Sequence, residues 1–360
     1  MSAARSRNLP PVARAIATLG LLGLLAACSG STDGVAVTSG AEPPSSPAAA
    51  PTATPTATPT PEPVPDPTAP FTGRPGEAGT PVMVVKLDNT PSAQPHRGLT
   101  KADIVYVEPV EWGLTRLAAV YSSRMPDMVG PVRSARVGDI EMFESYGDVA
   151  FVYSGAQSRL TPRIMDAAWT PVSEDLNSPG FSRERGTGRY APYNLMADPQ
   201  VILDTAGATG VASDIGLVFD DEAPTGGKRA NRVTARWEAA TVQFRWNADK
   251  DAYDVWLNGR QGRDTDKPGV QRASSVIVQY VKQSDSGYGD KFGGVTPLTR
   301  TTGSGKGLMV RDGRALPITW QRSDAAQPVS YRDADGDPVV LHPGQTWILL
   351  MDRTRKVSVE

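Results

Sequence analysis

The chain has a single cysteine, Cys28, in 360 residues. No disulfide can form within it, so an exported domain of this sequence must rely on the size of its core. Histidine is almost as scarce: His96 and His342 are the only two, far apart in sequence. The ligand spacings of a zinc site are missing, and no metal site is expected. There is no G-x-S-x-G elbow, no H-E-x-x-H helix and no phosphate-binding P-loop. Beyond the first 28 residues no apolar run approaches the roughly 18 residues of a membrane-spanning helix. Neither sign of charge dominates, with 37 basic against 39 acidic side chains and a net of −2. Nucleic acid is therefore not an expected partner, because bulk phosphate binding needs a strong basic excess.

What is present begins at the N-terminus. Arg5, Arg7 and Arg14 precede an apolar stretch from Ala15 to Ala27 that ends in Leu25-Ala26-Ala27-Cys28. A positive start, a short apolar run and small residues before a cleavage point are the layout of a secretory signal, expected over residues 1–27. The Leu-Ala-Ala-Cys end resembles a bacterial lipoprotein lipobox. The resemblance implies cleavage before Cys28 and a diacylglycerol on its thiol, making Cys28 the lipidation site and the membrane a partner through that anchor. The alternative is an ordinary signal peptide with a stray cysteine. Setting aside the three signal arginines, the formal charge of the mature chain is about −5.

Residues 28–78 read as the lipidated cysteine followed by a disordered Pro/Thr/Ala-rich stalk. Pro51-Thr-Ala-Thr-Pro-Thr-Ala-Thr-Pro has almost nothing apolar to set against chain entropy. Its prolines favour the extended polyproline II conformation, giving a reach on the order of 150 Å for fifty residues.

From Pro81 the texture changes. Apolar runs at 82–87, 102–108, 115–121 and 149–153 read as strands, with helical stretches at 138–145 and 158–168. Alternating strands and helices predict an α/β layer domain over 79–224. Short β-type runs at 241–246, 252–257, 274–281, 307–310 and 346–351 predict a smaller, mostly β domain over 225–360, with hairpins at Asn258-Gly259 and Asp312-Gly313. The fold class expected is α+β. Asp333-Ala-Asp-Gly-Asp337 has the start of a calcium loop but lacks its closing glutamate, so it reads as a polar turn.

Arginine at strand ends and turns is the strongest chemical signal. Arg116, Arg133 and Arg136 (the last two flanking Ser134-Ala135) stand where strands end or a helix begins. Arg183, Arg185 and Arg189 lie in a glycine-rich segment that continues to Asn194. Forked guanidinium donors near a helix start make a phosphate or carboxylate site. Asp88, Asn89, Asp103, Glu108 and Glu111 are the supporting acidic and polar residues. Pairing of each arginine with a nearby acid is the competing expectation.

Val84-Val-Lys-Leu-Asp88-Asn89, Gly98–Glu108, Glu111-Trp-Gly-Leu-Thr-Arg116, Gly130-Pro-Val-Arg-Ser-Ala-Arg136 and Arg189-Tyr-Ala-Pro-Tyr-Asn194 together resemble the YerB-like bacterial lipoprotein family. So do Ile318-Thr-Trp320, Tyr331–Gly336 and Pro343-Gly-Gln-Thr-Trp347. The resemblance runs from 80 to 352 and implies a two-part domain and a lipoprotein location, with no established activity. Tyr193 stands where a histidine is usual, and 258–264 lacks another. A fainter likeness is to the LytR-CpsA-Psr phosphotransferases, carried by Lys101-Ala-Asp103, Pro131-Val-Arg133 and Arg183-Glu-Arg185…Gly188-Arg189. Together these readings predict a lipid-anchored extracytoplasmic envelope protein that binds a phosphorylated or anionic ligand such as a cell-wall glycopolymer. The alternatives are a phosphotransferase acting on polyprenyl-pyrophosphate-linked glycopolymer, the only case in which Mg²⁺ is expected, and an envelope protein that serves a protein partner. No other cofactor is expected.

Overall fold

A computed structural model describes residues 68–76, 78–265 and 269–360. The expected signal segment, Cys28 and most of the stalk lie outside the described residues. The described residues form one compact unit.

Four of the apolar runs become neighbouring strands: β1 (Met83–Asp88), β2 (Ile104–Pro109), β3 (Thr115–Tyr121) and β4 (Ala150–Tyr153). A fifth, β5 (Thr170–Ser173), was not marked by an apolar run. They read as nearly continuous apolar stretches because the sheet is covered on both faces. The sheet has twelve strands. Its path runs Ser330–Arg332, Arg314–Arg322, Gly303–Arg311, Ser275–Gly289, Thr346–Asp352, then β2, β3, β1, β4 and β5. Thr346–Asp352 pairs in parallel with β2 on one side and with Ser275–Gly289 on the other. The sheet therefore runs unbroken across residue 225, where a second domain was expected.

A second sheet is built around Arg232–Arg236, Thr241–Asn247 and Ala252–Leu257. Its Val233, Phe244, Tyr253 and Val255 pack against Met83, Val85, Leu87, Val107 and Trp347 on one face of the large sheet. The opposite face, with Val84, Ile104, Tyr106, Ala118 and Ile348, is covered by Val137, Met142 and Phe143 of α1 (Val137–Phe143).

Both turns called from sequence close hairpins. Asn258-Gly259 and Asp312-Gly313 each hold two successive positive φ angles, which an Asx-Gly pair tolerates best. Asp333 Oδ1 accepts the backbone N–H groups of Asp335 and Asp337, so that segment is a polar turn.

The chain is mostly β, with less helix than the sequence pattern implied. The stretch 158–168 yields only α2 (Thr161–Met165), whose end is fixed by Trp169 Nε1 donating to the Ile164 carbonyl at 3.1 Å. The longest helix among the described residues, α3 (Pro199–Ala206), starts at Asp198, whose carboxylate accepts from the N–H groups of Gln200 and Val201. The fold also begins earlier than the boundary at 78. Ala69 and Phe71 are buried, and the Phe71 ring meets Tyr146 edge-on at 5.6 Å. Thr72 is buried too, and its carbonyl accepts the Gly344 N–H at 2.8 Å, so residues 69–72 are docked on the fold.

Candidate functional site

β1 and β2 both run antiparallel to β3, so their C-terminal ends lie at the same edge of the sheet, one on each side of β3. Asp88 and Glu108 fall opposite the same residue, Arg116. Lys86, Asp88, Arg116 and Glu108 thus continue the α1-covered face just where its apolar side chains stop. The loop that leads into α1 adds Arg133 and Arg136 beside them. The ends of parallel strands are a common place for ligand crevices.

Eight charged side chains meet there. The Lys86 ammonium, fully buried, touches Glu108 and lies 2.7 Å from Asp139 Oδ1. Burial pushes the Lys86 ammonium down to about 8, against the pull of Asp139. Asp88 Oδ2 is ion-paired with Arg133 Nε at 2.7 Å and with Arg116 Nη1 at 3.6 Å, while its Oδ1 accepts the Thr90 N–H at 2.6 Å. Burial works to raise the Asp88 carboxyl, but the two guanidiniums hold it below its ordinary value. Burial lowers Arg116 to about 10. Arg136 Nη2 and Nε grip Glu111 Oε2 at 2.7 and 3.1 Å, and Nη1 donates to the Ala135 carbonyl. Arg136 overcomes burial and keeps Glu111 below the usual carboxylate range. Asp139 Oδ2 accepts the Arg136 N–H at 2.7 Å, which fixes the first turn of α1. Four cations thus face four carboxylates. Arg116 Nε has no hydrogen-bond partner among the described residues.

The remaining sequence candidates fall elsewhere. Asp103 sits at the far end of β2, five residues or roughly 16 Å from Glu108. Its carboxylate caps Ser122 and Ser123 through their backbone N–H groups. Asp88 and Asp103 therefore do not form one oxygen-donor set, and the residues do not fit a shared Mg²⁺. Asn89 Nδ2 donates to Thr115 Oγ1 at 2.8 Å. Arg183 pairs with Glu174 at 2.7 Å and reaches Asn194 Oδ1 at 3.3 Å. Arg185 is exposed. Arg189 donates to the Pro95 carbonyl at 2.5 Å. Of the glycine-rich segment only Tyr193 approaches the cluster, its ring 5.7 Å from the Arg133 guanidinium.

Beside the cluster opens a cleft of about 460 Å³. Glu111, Ser134 and Arg136 form one wall, Gln157 and Ser158 a second, and Tyr288, Asp290 and Lys291 a third. The third wall is the tip of a hairpin arm in which Ser275–Gly289 pairs with Val295–Arg300. Gln157 Oε1 is buried and has no hydrogen-bond partner among the described residues. Trp112 projects next to Glu111. It is 58% exposed, and its Nε1 donates to Asp290 Oδ2 at 2.8 Å. Trp112 and Gly113 hold successive φ angles of 60° and 66°. Glycine takes that conformation freely, whereas for a bulky aromatic residue it is strained. Ser134, Glu111 and the strand-end arginines were marked by sequence. Lys86 and Asp139 were not, although a lone lysine inside an otherwise apolar strand is a readable signal. Trp112 and the arm residues carried no such signal.

Residues 71–212 match the family described as "Protein of unknown function (DUF3048) N-terminal domain", and residues 233–348 match its C-terminal domain. A Bacillus subtilis (strain 168) protein named as a candidate lipoprotein, YerB, is 28% identical over 308 residues, covering 81% of this chain and 88% of the relative. The crystal structure of the YerB protein from Bacillus subtilis matches with a TM-score of 0.68 at 23% identity, over 81% of this chain and 99% of that one. At that identity the likeness is one of fold. The chain belongs to this YerB-like, two-part DUF3048 family of proteins of unknown function.

Proposed function

We propose that this protein is held at the cell envelope by a lipid on Cys28 and binds an anionic saccharide in the cleft beside Trp112. The lipobox-like Leu25-Ala-Ala-Cys28 and the relative named as a candidate lipoprotein support the anchor. The observation that carries the binding reading is Trp112, an exposed indole on strained backbone next to Glu111 of the cleft wall. Strain of this kind persists only where the surroundings enforce it, and it clusters at ligand sites. A flat, half-wet indole offers a stacking face to a sugar ring. Ser134, Gln157 and Ser158 line the cleft and offer polar groups of the kind that sugar hydroxyls pair with. Lys291, which makes no ion pair among the described residues, supplies the positive charge, next to an Arg136 already fixed by Glu111.

The test is calorimetric titration of the detergent-solubilised protein with a phosphorylated disaccharide. Trp112→Ala is expected to weaken binding about tenfold, corresponding to roughly 1.4 kcal/mol of stacking. Lys291→Gln is expected to reduce the preference for the phosphorylated over the neutral sugar. Unchanged affinity in both variants would exclude the cleft as the site.

A further inference from the structure

A second concavity, of about 670 Å³, lies at the base of the same hairpin arm. Six cations line it and no carboxylate does. Arg300 reaches out to Glu141 at 2.9 Å and Arg355 to Glu238 at 3.0 Å. Lys282, Lys306, Arg353 and Lys356 are exposed and make no ion pair among the described residues. Strand register brings these charges together. Val281 falls beside Asp352, and Arg353 N–H donates to the Val281 carbonyl at 3.0 Å, which sets Arg353 next to Lys282. Lys282 is also directly opposite Arg300 in the antiparallel arm. Like charges opposed across a strand pair destabilise it, and four unpaired cations are concentrated here on a chain whose net charge is −2.

We propose that this groove binds a phosphodiester polyanion, a glycan or polyol chain with regularly spaced phosphates. Gly303 and Ser304, exposed on the strand that carries Lys306, line the groove between these cations, and the space over Gly303 is open. Glycine lets a chain approach the backbone closely, and serine offers a hydroxyl to it. The groove presents no stacking platform for bases. Trp320 is 3% exposed, with its Nε1 donating to the Tyr280 carbonyl at 3.0 Å, and Tyr280 is half-buried. Single-stranded nucleic acid needs such a platform, and a sugar-phosphate or polyol-phosphate backbone does not. The site is separate from the cleft beside Trp112, and neither proposal depends on the other.

Poly(glycerol phosphate) is the probe, titrated into the detergent-solubilised full chain at several salt concentrations. Four released counterions at about 0.7 each give a log–log slope near −3, or about a 50-fold loss of affinity between 50 and 200 mM salt. The double variant Lys306→Gln/Lys356→Gln removes two contacts and is expected to cut that loss to about 7-fold. Both side chains are exposed, so an unchanged melting temperature verifies the fold. Lys306→Arg, which keeps the charge, is expected to bind like the parent. The double variant is also expected to keep its affinity for the phosphorylated disaccharide, which separates failure of this groove from failure of the cleft. The proposal is overturned if poly(glycerol phosphate) does not bind. It is equally overturned if the double variant keeps the parental salt slope, or if a single-stranded DNA oligomer of equal charge binds as tightly as the polymer.

Discussion

Replacing Lys86 by methionine isolates the energetics beneath the strand-end cluster. The side chain is fully buried and, among the described residues, is the one cation that pairs with both Glu108 and Asp139. Methionine fills a similar volume, so the loss is one of charge and not of packing. Two carboxylates then remain away from water with their shared partner gone. Removing one member of a buried ion pair costs about 3–5 kcal/mol, which for a unit of this size lowers Tm by about 5–8 °C. Urea unfolding at pH 7 measures the loss. A Lys86→Met protein within 1 kcal/mol of the parent at pH 7 would refute the claim that the lysine neutralises this pair.

Two further outcomes are expected. Cys28→Ala should move the protein from the detergent phase to the aqueous phase in a cloud-point partition, because the acyl site is gone; unchanged partition would exclude the anchor. Arg322→Lys should lower stability by about 3 kcal/mol in urea unfolding. Buried Arg322 donates to the Gln327 and Glu141 carbonyls, Thr301 Oγ1 and Ser145 Oγ at 2.9–3.1 Å, and lysine cannot reproduce that fork.

Strand positions could be read closely because a sheet buried on both faces writes itself as apolar runs. Thr115–Tyr121 and Ala252–Leu257 were marked to the residue. The pairing order could not be read. Nothing local in Thr346–Asp352 says that it pairs with β2, more than two hundred residues earlier. Arg133 and Arg136 were placed at the site because turn and helix-start signals are local. Arg183 was grouped with them, yet it pairs with Glu174, since sequence proximity says little about which acid a long side chain meets. Lys86 was counted within an apolar run, although in a strand covered on both faces a lone lysine must be buried and paired. Trp112 was hidden because a positive φ at a non-glycine residue is imposed by the surrounding structure.

Hydrogen exchange on the detergent-solubilised full chain, with and without a phosphorylated disaccharide, tests the central claim most directly. The account predicts slowed exchange at 111–113, 134–136, 156–160 and 288–296, the backbone around the cleft, with the rest of the chain unchanged. Protection confined to other segments, or no protection at saturating sugar, would contradict it.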